Sequence, residues 1–274
     1  MNGKTVKKKL LLLTTTALLT TACAKNENIE IISTPQTATS KNIKVVSTPT
    51  ITSESKSIEI VSTPQTVIKQ VVEIPSINII DKPIIFKKQR IDMTKSYIKK
   101  HYGLNVDNIE ITPRIIVLHW TADMSFDKSF KRLEAQKLFS DRKDIAKASA
   151  LNVSAHFLVA RDGTIYRLMP ENWMARHVIG LNYSSIGVEN VGGKGNKKDD
   201  LTPAQLQANI ELVRYLKAKY PTITHLIGHH EYRELEGSEF WLELDKGYRT
   251  KKSDPGDRFM SAVRNEVADL NLVK

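Results

Sequence analysis

Apolar and polar positions divide the chain into two parts with different patterns. From about Ile91 onward, apolar residues recur at helical spacing or in short continuous runs, which is typical of a folded domain. Residues 114–118 form a run that predicts a strand buried on both faces, and residues 224–227 predict a later one. Thr202 followed by Pro203 predicts the N-terminus of a helix. Because strands alternate with helices, we predict an α/β domain with a central mixed β-sheet flanked by helices.

Shorter signals complete this prediction. The turn Arg161-Asp162-Gly163 lies between two apolar runs and is typical of a β-hairpin. Ser125 is a favourable N-cap for the helical pattern that follows it. Further elements are predicted at residues 93–101 (helix), 186–188 (strand) and 259–270 (helix). We place a single folded domain at residues 91–274.

The first 23 residues have the composition of an export signal. Four lysines precede an apolar stretch at residues 10–19, which is followed by Thr20-Thr21-Ala22-Cys23. This stretch is shorter than the roughly 20 apolar residues that cross a bilayer, so no transmembrane anchor is expected. Cys23 resembles the cysteine of a bacterial lipobox, which becomes the lipidated N-terminus, although Thr20 stands where Leu is usual. We therefore expect an exported, membrane-anchored lipoprotein of the outer membrane, periplasm or cell surface; an ordinary signal peptide with a coincidental cysteine is the alternative.

Residues 24–90 repeat one short pattern. A β-branched run followed by Ser-Thr-Pro occurs at residues 29–35, 43–49 and 58–64. No Phe, Trp or Tyr precedes Phe86, so these segments have little apolar surface to offset the cost of ordering the backbone. Proline in each copy also disfavours pairing into a wide sheet. We predict a disordered Ser/Thr/Pro repeat linker, with a small adhesive β-repeat module as the alternative.

Charge and cysteine content narrow the classes of function. The chain has 41 Lys and Arg against 30 Asp and Glu, a net charge of +11, but 13 of the basic and only 6 of the acidic residues lie in residues 1–90. Most of the excess is therefore outside the folded part, and no aromatic residues accompany it, so nucleic acid is not an expected partner. One cysteine excludes an intramolecular disulfide and a cysteine-rich zinc ribbon.

Three separated polar residues suggest a metal site. His119 ends the first predicted strand, His229 ends a later one, and Asp254 precedes the last helix. Two imidazoles and a carboxylate are a ligand set of catalytic zinc sites. Histidines and aspartates at loop ends are also common without a metal, so the residue pattern alone leaves both interpretations open.

A family resemblance adds to this reading. The matching stretches are VLHWTA from Val117, SAHFLVARDGTIYRL from Ser154, NYSSIGVENVGG from Asn182, LTPAQL from Leu201, IGHH from Ile227 and KSDPG from Lys252. Over residues 113–270 the chain resembles zinc-dependent N-acetylmuramoyl-L-alanine amidases of the type 2 family, which includes peptidoglycan recognition proteins. The resemblance implies that His119, His229 and Asp254 bind Zn²⁺. Asp as the third ligand is similar to the anhydromuropeptide-amidase branch.

The resemblance also implies roles for three further residues. Glu189 matches the general base of that branch, and Ala155 stands where other members have a tyrosine. Lys252 matches the residue that stabilises the oxyanion. His177 is similar to a substrate-binding histidine, although the sequence after it departs from the usual His-Ala-Gly. The alternatives are an ordinary strand-end carboxylate for Glu189 and a register in which Lys251 takes the place of Lys252.

The implied function is hydrolysis of the amide bond between N-acetylmuramic acid and L-alanine in peptidoglycan or in muropeptides. We expect a monomer whose partners are this substrate and, through the lipid, a membrane. The main alternative is a non-catalytic peptidoglycan-binding module on the same fold, and such modules typically lack a metal ligand. A surface adhesin that acts through the repeats is a third interpretation.

Overall fold

The computed structural model describes residues 73–274, so the predictions for residues 1–23 and for most of the linker lie outside the described residues. Its strands are β1 (Ile79–Asp81), β2 (Ile115–Trp120), β3 (Phe157–Val159), β4 (Ile165–Arg167), β5 (Ser185–Asn190) and β6 (His225–Gly228). Its helices are α1 (Lys88–Tyr102), α2 (Phe126–Glu134), α3 (Lys143–Ala146), α4 (Pro203–Lys219) and α5 (Asp257–Glu266). Among these residues, no helix is both long and apolar enough to cross a membrane.

The strands form one mixed sheet in the order β1-β4-β3-β5-β2-β6. Of these six strands, β3 and β4 pair antiparallel, through the predicted hairpin, in which the Ala160 N–H donates to the Thr164 carbonyl at 2.9 Å. The other neighbours are parallel, and helices lie between β1 and β2, between β2 and β3, and between β5 and β6. The predicted mixed sheet flanked by helices is confirmed.

The folded part begins before residue 91, where the sequence analysis placed its start. Strand β1 pairs with β4, and Arg167 donates to Asp81 from Nε at 2.7 Å. Arg90 is fully buried, and its guanidinium donates to the backbone carbonyls of residues 85, 133, 134 and 153. A three-residue strand has no periodicity to detect, and a buried arginine resembles a solvated one in sequence. Residues 79–90 therefore belong to the fold and not to the linker.

Local signals set most helix ends where the sequence predicted them. Helix α1 ends at Gly103, whose φ of +70° lies in the left-handed region that favours glycine. Thr202 accepts from the Gln205 N–H in a capping box that begins α4, and Ser125 accepts from the Lys128 N–H to begin α2. Helix α1 begins at Lys88, five residues before the apolar pattern indicated.

Side chains of the central strands alternate between two layers. Ile116, Leu118 and Trp120 join an apolar cluster with α4 and α5, and we call this side of the sheet the helix-covered face. The alternate residues of β2 are Ile115, Val117 and His119. Ile115 and Val117 pack under α1 and the irregular segments, and we call this side of the sheet the cleft face.

Candidate active site

The sheet brings His119, His229 and Asp254 to one point on the cleft face. Strands β2 and β6 are parallel neighbours, so their carboxyl ends meet at the same edge of the sheet. His119 lies near the end of β2, and His229 directly follows β6. Asp254 reaches the same edge from the segment before α5, where its carbonyl accepts from both the backbone N–H and Nδ1 of His230.

Three donor atoms converge there. His119 Nδ1 lies 2.9 Å from His229 Nδ1 and 3.2 Å from Asp254 Oδ2, and the last two atoms are 2.9 Å apart. All three residues are buried, with exposures of 1, 6 and 6%. Two imidazole nitrogens and one carboxylate oxygen, all within 4.8 Å of one another, fit a zinc ion.

The electrostatics of these groups suit metal binding. Burial opposes ionisation of Asp254, but the two neighbouring imidazoles hold its pKa well below the usual range. Burial lowers the pKa of His229 to about 3, with Asp254 opposing. Metal ligands must be unprotonated, and at neutral pH both groups are in that form.

Glu189 lies beside this cluster on strand β5. It is the register partner of His119 on β2, so it projects from the cleft face next to the histidine. Its Oε2 is buried and finds no hydrogen-bond partner among residues 73–274. Burial raises the pKa of Glu189 to about 7, with His119 opposing and Asp254 adding to the increase. An uncommitted carboxylate with a pKa near neutrality has the properties of a general base.

A cleft of about 920 Å³ opens above these residues, and Lys252 lines it. Burial lowers the pKa of Lys252, with Asp254 opposing. Within residues 73–274 its ammonium has no hydrogen-bond or ion-pair partner, so it is free to meet a ligand. Lys252 thus places a basic group near the carboxylates of Asp254 and Glu189 in the cleft.

His177 lies in the cleft, beside one of the three converging residues. Its ring lines the cleft but is only 9% exposed, and Nδ1 lies 3.0 Å from Nε2 of His119. No local pattern in the amino-acid sequence indicates this contact, because the two histidines are 58 positions apart. His156, in contrast, is structural: Nδ1 accepts from the Gly187 N–H and Nε2 donates to the Trp173 carbonyl.

Other cleft residues carry no motif in the sequence. Basic side chains from α2 and the segment after it line the cleft, namely Lys128, Lys131, Arg132 and Arg142. Arg176 also lines the cleft, and its guanidinium donates to the backbone carbonyls of residues 145, 149 and 151, which holds the irregular segment after α3. The segment 234–249 does not line the cleft; its Trp241 covers Gly180, and its buried Glu243 bonds His101.

Comparisons with known proteins identify the family of the chain. The family profile described as N-acetylmuramoyl-L-alanine amidase matches residues 110–257, just over half of the chain. The endolysins of Klebsiella phage KP32 and Escherichia phage T7 are each 42% identical to the chain over 84 residues, which are 30% of this chain and 55% of each endolysin. The chain thus spans about half the length of the curated relatives it matches.

Solved structures are similar over a longer part of the chain. The N-acetylmuramoyl-L-alanine amidase LysCS from Clostridium intestinale URNW has a TM-score of 0.44 and 21% identity, over 73% of this chain and 100% of that one. The amidase AmiD from E. coli, in complex with anhydro-N-acetylmuramic acid-L-Ala-D-gamma-Glu-L-Lys, has a TM-score of 0.41 and 22% identity, over 62% of each chain.

Proposed function

The chain belongs to the N-acetylmuramoyl-L-alanine amidase family, and from that premise we propose that it is a zinc-dependent hydrolase. Its substrate is the amide bond between N-acetylmuramic acid and L-alanine, in peptidoglycan or in muropeptides. The observation that carries the proposal is the convergence of His119 Nδ1, His229 Nδ1 and Asp254 Oδ2 beside the uncommitted carboxylate of Glu189.

The donor set supports zinc as the metal. His119, His229 and Asp254 would hold the ion, which would supply Lewis acidity to activate water and polarise an amide carbonyl. Glu189 Oε2 is free to take a proton from the attacking water. The same carboxyl then returns that proton to the departing amide nitrogen, so the carboxylate is regenerated.

Lys252 acts on the developing negative charge. Addition of water to the carbonyl carbon turns the carbonyl oxygen into an oxyanion, which collapses when the carbon–nitrogen bond breaks. The free ammonium of Lys252 at the cleft wall stabilises that charge in a partly buried setting, where an electrostatic interaction is stronger than in water.

Digestion of purified peptidoglycan by the full chain tests the proposal. We expect new peptides with a free N-terminal L-alanine, loss of this release with a chelator, and recovery when zinc is added. His119→Ala abolishes release, whereas His225→Ala, which removes a half-buried histidine at the far end of β6, retains it. Peptidoglycan binding without release of L-alanine peptides by the zinc-loaded chain supports the non-catalytic module and contradicts the proposal.

The site of action is a separate proposal that rests on the sequence alone. We propose that the chain is exported and attached to a membrane by lipid on Cys23, because a lysine-led apolar stretch and the short segment Thr20-Thr21-Ala22 precede this residue. Expression of the full chain in a bacterial host tests this. Membrane association that is lost in Cys23→Ser supports the anchor, and a soluble full-length chain contradicts it.

A further inference from the structure

The two ring nitrogens of His119 face different partners. Nδ1 points to the converging donors His229 Nδ1 and Asp254 Oδ2, whereas Nε2 lies 3.0 Å from His177 Nδ1. A neutral imidazole carries hydrogen on one nitrogen and a lone pair on the other. If Nδ1 is to bind a metal, the hydrogen of His119 must be on Nε2, and it must have an acceptor.

Ser185 shows that His177 can be that acceptor. The Ser185 hydroxyl donates to the Leu181 carbonyl at 2.8 Å, so its hydrogen is already used. His177 Nε2 lies 3.2 Å from this hydroxyl oxygen and 3.4 Å from the Ser185 carbonyl oxygen, both of which can only accept. The hydrogen of His177 is therefore on Nε2, which leaves the lone pair of Nδ1 directed at His119.

The surroundings fix the ring of His177 in this position. Asn182 Oδ1 accepts from the backbone N–H of both His177 and Val178 at 2.8 Å, which holds the turn that carries the ring. The ring lies directly over Gly187, where an added Cβ would come within 2.7 Å of its Cγ and Nδ1. A side chain at position 187 would displace the ring, so glycine there permits the contact with His119.

We propose that His177 is a positioning residue for the metal centre and not a substrate contact. The chain of hydrogen bonds from His119 through His177 to Ser185 holds His119 in the tautomer that presents Nδ1 to zinc. This inference rests on the proposed zinc site. Partners that orient a metal-binding histidine typically change metal affinity by about 10- to 100-fold when they are removed.

A pair of substitutions at position 177 separates hydrogen bonding from packing. In His177→Asn, the side-chain oxygen takes the approximate place of Nδ1 and still accepts from His119. In His177→Leu, a side chain of comparable volume offers no acceptor. We expect zinc affinity, measured by competition with a chromogenic chelator, to fall about 10- to 100-fold in His177→Leu and to stay close to wild type in His177→Asn.

Gly187→Ala provides an independent variant that retains His177 but crowds its ring. We expect weaker zinc binding in this variant too. If thermal unfolding of the zinc-free protein shows that His177→Leu does not fold, the zinc affinity of Gly187→Ala tests the positioning role instead. His101→Asn is the matched control, since it changes a buried histidine that bonds Glu243 and the Ala148 carbonyl and neither His177 nor the three ligands; its zinc affinity should stay unchanged.

The outcomes distinguish this inference from the function on which it rests. A wild-type chain that does not bind zinc overturns the proposed function. Zinc binding that is equally tight in wild type, His177→Leu and Gly187→Ala overturns the positioning role alone. A raised KM for muropeptide in both His177 variants, with unchanged zinc affinity, assigns His177 to the substrate and also overturns it.

Discussion

The two faces of the sheet use buried residues in different ways. The helix-covered face is closed by α4 and α5 mainly through apolar side chains such as Leu212 and Phe259, and its buried polar side chains bond one another or the backbone, as Asn209 does with Asn190. The cleft face buries His119, His177 and other polar side chains in the same layer as its apolar residues. Adjacent residues of one strand therefore contribute to stability on one side and to chemistry on the other.

This difference follows from what covers each face. A regular helix satisfies its own backbone groups, so apolar side chains suffice to pack it. Irregular segments leave backbone carbonyl groups without partners in secondary structure, and buried arginines donate hydrogen bonds to them. Arg90 donates to the carbonyls of residues 133, 134 and 153, and Arg176 donates to those of residues 145 and 151. The cleft face thus tolerates loops, and loops leave space for a substrate.

Two buried carboxylates show the contrast at single-residue level. Glu231 accepts from Arg264 of α5 and from the Gly228 N–H, and although burial opposes it, these partners lower its pKa to about 2. Glu189 has a buried oxygen without a partner, and burial raises its pKa to about 7. The first carboxylate stabilises the fold, whereas the second costs stability and is available for proton transfer.

The largest expected effect tests the cleft face through its reaction. Glu189→Gln keeps the shape of the side chain but cannot accept a proton, so we expect kcat on a muropeptide to fall by about 10²- to 10⁴-fold. Zinc content should stay at the wild-type level, which is measured in the same samples. Glu171→Gln is the control, because Glu171 is a buried carboxylate that bonds Arg167 and Tyr220 away from the cleft. Near-normal turnover by Glu189→Gln would remove the general-base role.

The same contrast explains how far the sequence predicts the molecule. Strand β2 and helix α4 were predicted because a continuous apolar run and a Thr-Pro helix start are local signals. The three ligand positions came from the family resemblance, and the fold places them together because parallel strands end at one edge. The contact of His177 with His119 and the carbonyl binding by Arg90 depend on long-range packing, so no pattern of neighbouring residues indicates them.

A smaller effect tests the helix-covered face through stability. Leu212 is 1% exposed and packs between α4 and the sheet, so Leu212→Ala removes apolar contacts and leaves a cavity. We expect the free energy of unfolding, from urea titration, to fall by about 2–5 kcal/mol. Turnover per folded molecule should be unchanged at low temperature, since no cleft residue is altered. A large loss of kcat without loss of stability would show that the two faces are not separable.

The smallest expected effect is on the pH dependence of the free energy of unfolding. It is measured on the zinc-free protein and compares Glu189 with Glu231. The pKa of Glu189 is raised on folding, so the folded state holds its proton more tightly and wild-type stability is lost as pH rises from about 4.3 to 7. The free energy of unfolding of Glu189→Gln should therefore match that of wild type near pH 4 and exceed it by roughly 1–3 kcal/mol at pH 8.

The pKa of Glu231 is depressed on folding, so its contribution to stability is present above about pH 4.3 and is lost as pH falls toward 2. Glu231→Gln should be less stable than wild type at pH 7 by a similar amount, with the difference shrinking in acid. Equal and pH-independent shifts in both variants would contradict the assignment of opposite roles to these two carboxylates.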